Sequence, residues 1–408
     1  MSDNMKDYRF DLPKNQKSII KVIGVGGGGS NAVNHMYNQG IKDVEFVVVN
    51  TDAQALKSSP VPLRLQLGAN LTEGLGAGAN PEQGRNAALE SHEEIRELLA
   101  DNTKMVFITA GMGGGTGTGA APVVAKIAKE LNILTVGIVT APFMFEGKKK
   151  MAVAQAGIEA LRENCDTVLV ILNDKLREIY GNLAIRTAFS KADDILTTAA
   201  KSIAEIITIH QDVNVDFEDV KTVMSEQGKA MMGTGTVSGM DRARLAAEAA
   251  VASPLLEGVD LSGAKGLLVL ISASKGSLKL SESKLAMNAI RAYAAPDAHV
   301  IYGTAHDDSL GDSIRVTVVA TGLSRQGARR TAPPLQVLRT GTDNVPFNVP
   351  TVNTAVGGPG ATQPDYNSMA VPSVWRTNRT QAAAKVDALA SGGMDDFEIP
   401  AFLRKQAD

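Results

Sequence analysis

A chain of 408 residues with 44% hydrophobic content is long for one core and predicts two domains plus further segments. Its formal net charge of −3 excludes the basic footprint of a direct nucleic-acid binder, and no run nears the roughly 18 apolar residues that cross a membrane. One cysteine, Cys165, excludes an internal disulfide and suits a reducing cytosol, where it reads as a small buried hydrophobe.

Residues 1–17 are polar and charged, without the apolar segment of a signal peptide, and are expected to be flexible. From there to about 180, short apolar runs alternate with amphipathic stretches. Strands are predicted at 18–26, 44–50, 105–109, 133–140 and 167–172, apolar throughout as in a parallel sheet covered on both faces. Helices are predicted at 31–39, 84–99, 120–131 and 151–164. That alternation predicts a doubly wound α/β domain with ligands at the carboxyl ends of the strands.

A long helix is expected from about 183 to 210. Helices at 242–252 and 282–294 with strands at 266–273, 299–304 and 313–321 then predict a second, α+β domain. Between 324 and 393 come seven prolines, many Gly, Ala, Thr and Asn residues and no periodicity, which predicts a disordered linker. Trp375 inside it reads as a chance exposed aromatic. His35, His92, His210, His299 and His306 lack ligand spacing, so no metal–histidine site is expected.

Two glycine-rich turns carry the chemistry. Gly24-Val-Gly-Gly-Gly-Gly29 fits G-x-G-x-x-G between a strand and a helix, and Asp52 follows Gly29 by 23 residues. A dinucleotide enzyme places its ribose carboxylate near there, so this turn alone points to an NAD(P) oxidoreductase. The second turn, Ala110-Gly-Met-Gly-Gly-Gly-Thr-Gly-Thr-Gly119, has six glycines from 111 to 119 and offers the Thr116 and Thr118 hydroxyls. So many glycines weaken a plain turn, but they let backbone N–H groups approach a phosphate at a helix N-terminus. One such loop suffices for a pyrophosphate; two on successive strand ends suit a triphosphate. A third segment, Gly74-Leu-Gly-Ala-Gly78, could close over the terminal phosphate. No G-x-x-x-x-G-K-[ST] occurs, which excludes a Walker-type fold.

Phe189 and Asp193 are i and i+4 on the long helix and share a face. Phe189 could stack on a purine, and the Asp193 carboxylate could accept from guanine N1–H and N2–H₂, a pair adenine lacks. Asn173, at a strand end, is a further polar contact. Core packing is the alternative for Phe189, and Asp193 is followed by another acid, Asp194. Glu146 could bind a ribose hydroxyl and Lys150 could face phosphate, although a solvated basic run explains Lys148 and Lys149. Asp216 and Asp219 stand three apart at a helix start, where the macrodipole alone favours acids. They lie at the far end of the long helix from Phe189, about 35 Å away if it is straight, and so could serve only a neighbour's nucleotide.

Gly-Gly-Gly-Thr-Gly-Thr-Gly at 113–119 resembles the signature of the tubulin/FtsZ GTPase family, and the resemblance runs from roughly 17 to 322 and returns at 395–408. It implies a tubulin-like, Rossmann-type α/β GTPase domain (18–182), a central helix (183–212), an α+β C-terminal domain (213–322), a disordered linker (323–393) and a tail peptide (394–408). It further implies GTP with Mg2+, held by Gly27, Gly28, Gly29, Ser30, Asn31, Gly115, Thr116 and Gly117 at the phosphates. Glu146 would take the ribose, with Lys150, Asn173, Phe189 and Asp193 completing the pocket. Asp216, Asp219 and Asn214 would complete catalysis in the next subunit of a head-to-tail homopolymer. In the tail, Phe397, Ile399, Phe402 and Leu403 would dock on membrane-tethering division adaptors, without insertion into the membrane. A cytoplasmic protein concentrated at a midcell division ring is implied. Two departures stand out: Lys150 replaces the family's usual Arg, and 179–185 is about one residue short.

Overall fold

The computed structural model describes residues 19–323, apart from 182, 209–214, 227 and 257–262. Asn214, His210, Trp375 and the tail residues Phe397, Ile399, Phe402 and Leu403 lie outside the described residues, as do the expected flexible N-terminus and linker.

In chain order the first half contains β1 (Ile19–Val25), α1 (Gly26–Asn38), β2 (Glu45–Asn50), α2 (Ala53–Ser58), β3 (Leu63–Gln66), α3 (Ala69–Thr72), α4 (Pro81–Glu90) and α5 (His92–Ala100). It continues with β4 (Thr103–Gly111), α6 (Thr116–Glu130), β5 (Leu134–Ala141), α7 (Lys148–Asn164), β6 (Thr167–Leu172) and α8 (Asn173–Tyr180). The long helix α9 (Ile185–Thr208) follows. Then come α10 (Phe217–Met224), β7 (Lys229–Ser238), α11 (Arg242–Val251), β8 (Gly266–Ala273), α12 (Leu280–Arg291), β9 (His299–His306) and β10 (Ser313–Leu323).

The sheet order is β3-β2-β1-β4-β5-β6-β7-β10-β8-β9. The strands from β3 to β6 are all parallel. Their order reverses between β1 and β4, the switch point where an open α/β sheet leaves a crevice for ligands. The remaining strands are mixed, with β10 antiparallel to β7 and β8. A single register pair, Leu169 with Ala230, joins β6 to β7.

Alternate residues of each parallel strand feed opposite faces. Val22, Phe46, Met105 and Val136 pack with Met36 of α1 and with Ile195, Ala199 and Ile203 of α9. Ile23, Val47, Val106 and Val139 pack instead with Ala87 of α4, Ile95 of α5, Val124 of α6 and Leu161 of α7. A third cluster places Ala246 and Ala250 of α11 and Met287 of α12 against β8 and β10.

Three expected elements change shape. Helix 84–99 is broken at Ser91, whose Oγ accepts from the Gly68 N–H at 3.1 Å and holds the chain before β3's neighbour α3. Helices α1 and α6 begin at Gly26 and Thr116, four or five residues earlier than glycine content suggests. The first glycine turn is therefore largely the first turn of α1, whereas the second is a loop over 112–115 that runs into the first turn of α6.

Candidate functional site

The carboxyl ends of β1, β4, β5 and β6 surround a cavity of about 380 Å³. Gly27, Gly28 and Asn31 of α1 form one wall and Gly114, Gly115, Thr116 and Gly117 another. Glu146, Lys150, Asn173, Phe189 and Asp193 complete it, together with Gly111, Met112, Thr140, Pro142, Ala192 and Leu196.

The glycines divide by what surrounds them. A Cβ on Gly26 would lie 2.7 Å from the Gly117 nitrogen, and Gly26 has a φ of +71°, so the two turns meet backbone to backbone. A Cβ on Gly29 would lie 2.2 Å from the Thr109 carbonyl oxygen. At Gly27 and Gly114 nothing comes within 4 Å, and both line the cavity. Close packing thus explains one set, and an open approach for a ligand the other.

Gly29 and Ser30 do not line the cavity. Both are buried beneath it, and the Ser30 Oγ has no hydrogen-bond partner among the described residues. The two threonines part company. Thr116 Oγ1 lies at the cavity, 2.6 Å from Thr51 Oγ1 at the end of β2. Thr118, expected to offer a donor, is buried and accepts from the Gly113 N–H at 2.8 Å, so it closes the loop from within. The 74–78 segment does not reach the cavity; Ala77 packs on Gly115, whose Cβ would lie 3.0 Å from it.

Asn173 is the first residue of α8 rather than the last of a strand. Its side chain is buried, and its Oδ1 has no partner among the described residues, an arrangement that costs about 1–3 kcal/mol until a ligand donor satisfies it. The Phe189 ring is 43% exposed and meets Phe143 edge to face, with centroids 5.3 Å apart, which leaves its other side to the cavity. Glu146 accepts from the Phe143 N–H at 2.9 Å and from Lys150 Nζ, so the two ionic side chains of this wall pair with each other.

Asp193 and Asp194 have opposite electrostatics. Burial pushes the Asp193 carboxyl up to about 6, with Asp194 adding to the rise and His35 opposing it. Burial acts the same way on Asp194, but hydrogen bonds from Lys191 and His35 hold it below the usual carboxylate range. Asp216 and Asp219 are exposed at the start of α10 and do not line the cavity. Helix α9 lines the cavity through Phe189, Ala192, Asp193 and Leu196, and about 18 Å of helix from Leu196 to Thr208 follows before the chain reaches these acids.

Asp52 corrects the dinucleotide alternative. Its carboxylate caps α2 by accepting from the N–H groups of Gln54 and Ala55, at 2.8 and 3.1 Å, and is absent from the cavity wall. Of the lining residues that motif reading missed, Thr140 and Pro142 were detectable in principle, because they stand at the carboxyl end of β5, one inside it and one just beyond it.

Residues 19–181 match the Tubulin/FtsZ family, GTPase domain, and residues 228–324 match the FtsZ family, C-terminal domain. Over 406 residues the chain is 49% identical to the cell division protein FtsZ of Azotobacter vinelandii, covering 98% of this chain and 100% of that protein. The chain belongs to the FtsZ family. Another FtsZ, from Neisseria meningitidis, is 45% identical over 408 residues and is matched over 98% of each chain. An FtsZ dimer from M. jannaschii, solved empty, superposes with a TM-score of 0.74 at 41% identity, over 79% of this chain and 96% of that one. CetZ1 of Haloferax volcanii, a GDP-bound monomer, shares the fold, with a TM-score of 0.66 at 19% identity over 75% and 94% of the two chains. With the family's GTPase domain the chain is a GTPase, and the oxidoreductase alternative is not favoured.

Proposed function

We propose that this GTPase polymerises head to tail and that its filaments build the division ring at the future division site in the cytoplasm. The relatives' name, cell division protein, supports the role, and the related dimer supports self-association. The observation that carries the mechanism is that Asp216 and Asp219 do not line the cavity, which α9 leaves at Leu196, about 18 Å of helix before its end at Thr208.

In this reading the phosphates lie on the N–H groups of Gly27 and Gly28 and of the 114–117 turn, with the Thr116 hydroxyl beside them. Gly29 and Ser30 support that first turn from beneath, and Asn31 reaches the ligand. Phe189 stacks on guanine, Asp193 accepts its N1–H and N2–H₂, and Asn173 takes a further donor. Glu146 holds the ribose. Mg2+ would accompany the triphosphate, since the described residues form no cluster of acids or histidines that could hold it alone and the lining offers the Thr116 hydroxyl and the Asn31 amide.

Two carboxylates beside a triphosphate would repel it, so they arrive only with the next subunit. There Asp216 and Asp219 orient the attacking water and take its proton as the bond to the γ-phosphorus forms and the β–γ bridging bond breaks. Asn214 helps to shape that loop. The domain limits 18–182, 183–212 and 213–322 follow the division of these roles. The 323–393 linker carries the tail, whose Phe397, Ile399, Phe402 and Leu403 dock on membrane-tethering adaptors. Deleting 395–408 should spare filament formation and abolish recruitment to the septum; loss of assembly in the purified protein would overturn the docking role.

GTPase rate measured against protein concentration tests the central reading. The rate per subunit should be near zero below a threshold and rise above it. A constant rate per subunit down to the most dilute sample would mean that each monomer completes its own site.

A further inference from the structure

Consecutive residues on a helix point about 100° apart. Asp193 therefore faces the cavity while Asp194 turns toward α1, where its Oδ1 accepts from His35 Nε2 at 2.7 Å. Its Oδ2 accepts from Lys191 Nζ at 2.9 Å, and that ammonium sits 5.4 Å from the centre of the Tyr180 ring. His35 stands one turn beyond Asn31, which lines the cavity together with Gly27 and Gly28. A direct contact thus links the helix that begins at the phosphate end to the helix that carries the base-facing carboxylate. It falls on the residue next to that carboxylate.

We infer that the His35–Asp194 pair is a positioning brace that sets guanine selectivity, by fixing α9 against α1 so that Asp193 meets the N1–H and N2–H₂ edge of a base whose phosphates α1 already holds. The inference rests on the reading of Asp193 as the base-recognising group. Hydrogen-bond discrimination is steep in alignment, and a carboxylate displaced by an ångström loses its bidentate geometry while the phosphate contacts persist. The brace also occupies Asp194. Without its partners, a second carboxylate adjacent to Asp193 would compete for the same donors and raise the cost of ionising both. Hydrogen bonds from Lys191 and His35 favour the ionised form of Asp194, which keeps the adjacent sites distinct.

A brace and a merely stabilising ion pair differ in what they change. Loss of a stabilising pair weakens every nucleotide in step with the fall in Tm. Loss of a brace acts on the base and leaves the phosphates alone.

The test uses the full chain and equilibrium binding of GTP, ITP (which lacks the 2-amino group) and ATP. In His35→Leu and Asp194→Ala the GTP-over-ITP affinity ratio should fall about fivefold, the size of one misaligned hydrogen bond to a charged group, with ATP affinity unchanged within twofold. The double variant should be no worse than the poorer single one, since both remove the same contact. His35→Gln, which keeps an N–H donor at similar reach, should restore most of the ratio. Where an apolar variant fails to fold, His35→Asn, too short to reach Asp194, replaces it. Equal losses for all three nucleotides, or an unchanged ratio in folded variants, would overturn the brace. Asp193→Ala runs alongside: if it keeps the GTP-over-ITP ratio, the base-pocket reading fails and the inference fails with it. If it alone abolishes the ratio, the pocket stands and the brace does not.

Discussion

Lys150 donates a hydrogen bond to the Glu146 carboxylate, and both side chains line the cavity. Lys150 is the one cationic residue among those lining it, and with no ligand its charge is directed at a neighbouring acid rather than at phosphate. An incoming triphosphate competes for that ammonium. We expect Lys150→Met to weaken GTP binding about fivefold to tenfold, a modest loss because the side chain is partly exposed, and to flatten the dependence on salt. Lys150→Arg should bind at least as tightly as the natural protein, since a planar fork can serve Glu146 and phosphate together. Titrations at two ionic strengths check both; unchanged affinity in Lys150→Met would leave Lys150 as a partner of Glu146 alone.

Two glycines test the division between packing and approach. A Cβ on Gly119 would lie 1.9 Å from the Pro81 carbonyl oxygen and 2.7 Å from the Arg85 nitrogen, both backbone atoms of α4. Gly119→Ala should therefore cost about 2 kcal/mol or more, read as a drop of several degrees in Tm. Gly27→Ala meets open space and should leave stability within about 0.5 kcal/mol. Its methyl group projects where a phosphate would lie, so GTP affinity should fall at least tenfold. A stable Gly27→Ala protein with full GTP affinity would move the phosphates away from α1.

The Asp193 carboxyl, pushed up to about 6, makes base recognition pH-dependent. Only the ionised form accepts both guanine N–H groups, so GTP affinity should fall as pH drops through about 6 and approach tenfold per pH unit below it. The nearby His35 lowers this value and Asp194 raises it. Stability runs the other way. A folded-state value above the unfolded one favours the fold at low pH, and that contribution is lost as pH rises through the folded value. Asp193→Asn should accordingly raise Tm more at pH 8 than at pH 4 while flattening the pH profile of GTP binding. Thermal unfolding and titration across that range would expose either sign as wrong.

Catalysis across the interface is tested by complementation. Asp216→Ala should bind GTP and form filaments yet hydrolyse very slowly, because residue 216 follows the far end of α9 and does not line its own cavity. Thr116→Arg should block the phosphate turn while keeping Asp216. Each alone should be nearly inactive, and a mixture that co-sediments should recover activity. Co-assembly with no recovered hydrolysis would place the catalytic carboxylate elsewhere.

The parallel half of the sheet was legible in the sequence because β1, β2, β4, β5 and β6 are covered on both faces and read as mainly apolar runs. The edge strand β3, Leu-Arg-Leu-Gln, is short and half-polar, and escaped notice. β7 escaped for a subtler reason. Its Gly233 and Gly235 look like strand breakers, yet a Cβ on either would strike the backbone of α11, at the Ala250 oxygen (2.0 Å) and the Ala246 oxygen (2.3 Å). Glycine there serves close helix–sheet packing, which shows only once α11 folds back onto β7. The same limit applied at the site. Spacing brought Phe189 and Asp193 together because both lie on one helix, whereas the Asp194–His35 contact joins residues 159 apart and left no local trace.

The length of α9 also gives the assembly unequal ends. On the proposed stacking, the cavity of one subunit is completed by the α10 end of the next, so the contact is between unlike surfaces and does not close on itself. The last subunit at one end of each filament keeps a cavity that no neighbour completes. Its triphosphate is protected by geometry alone, as a cap one subunit deep. At the other end, a subunit's carboxylates face solvent with nothing to act on. On that proposal the polarity of the polymer would already be present in the monomer, as the distance between the cavity and the acids Asp216 and Asp219.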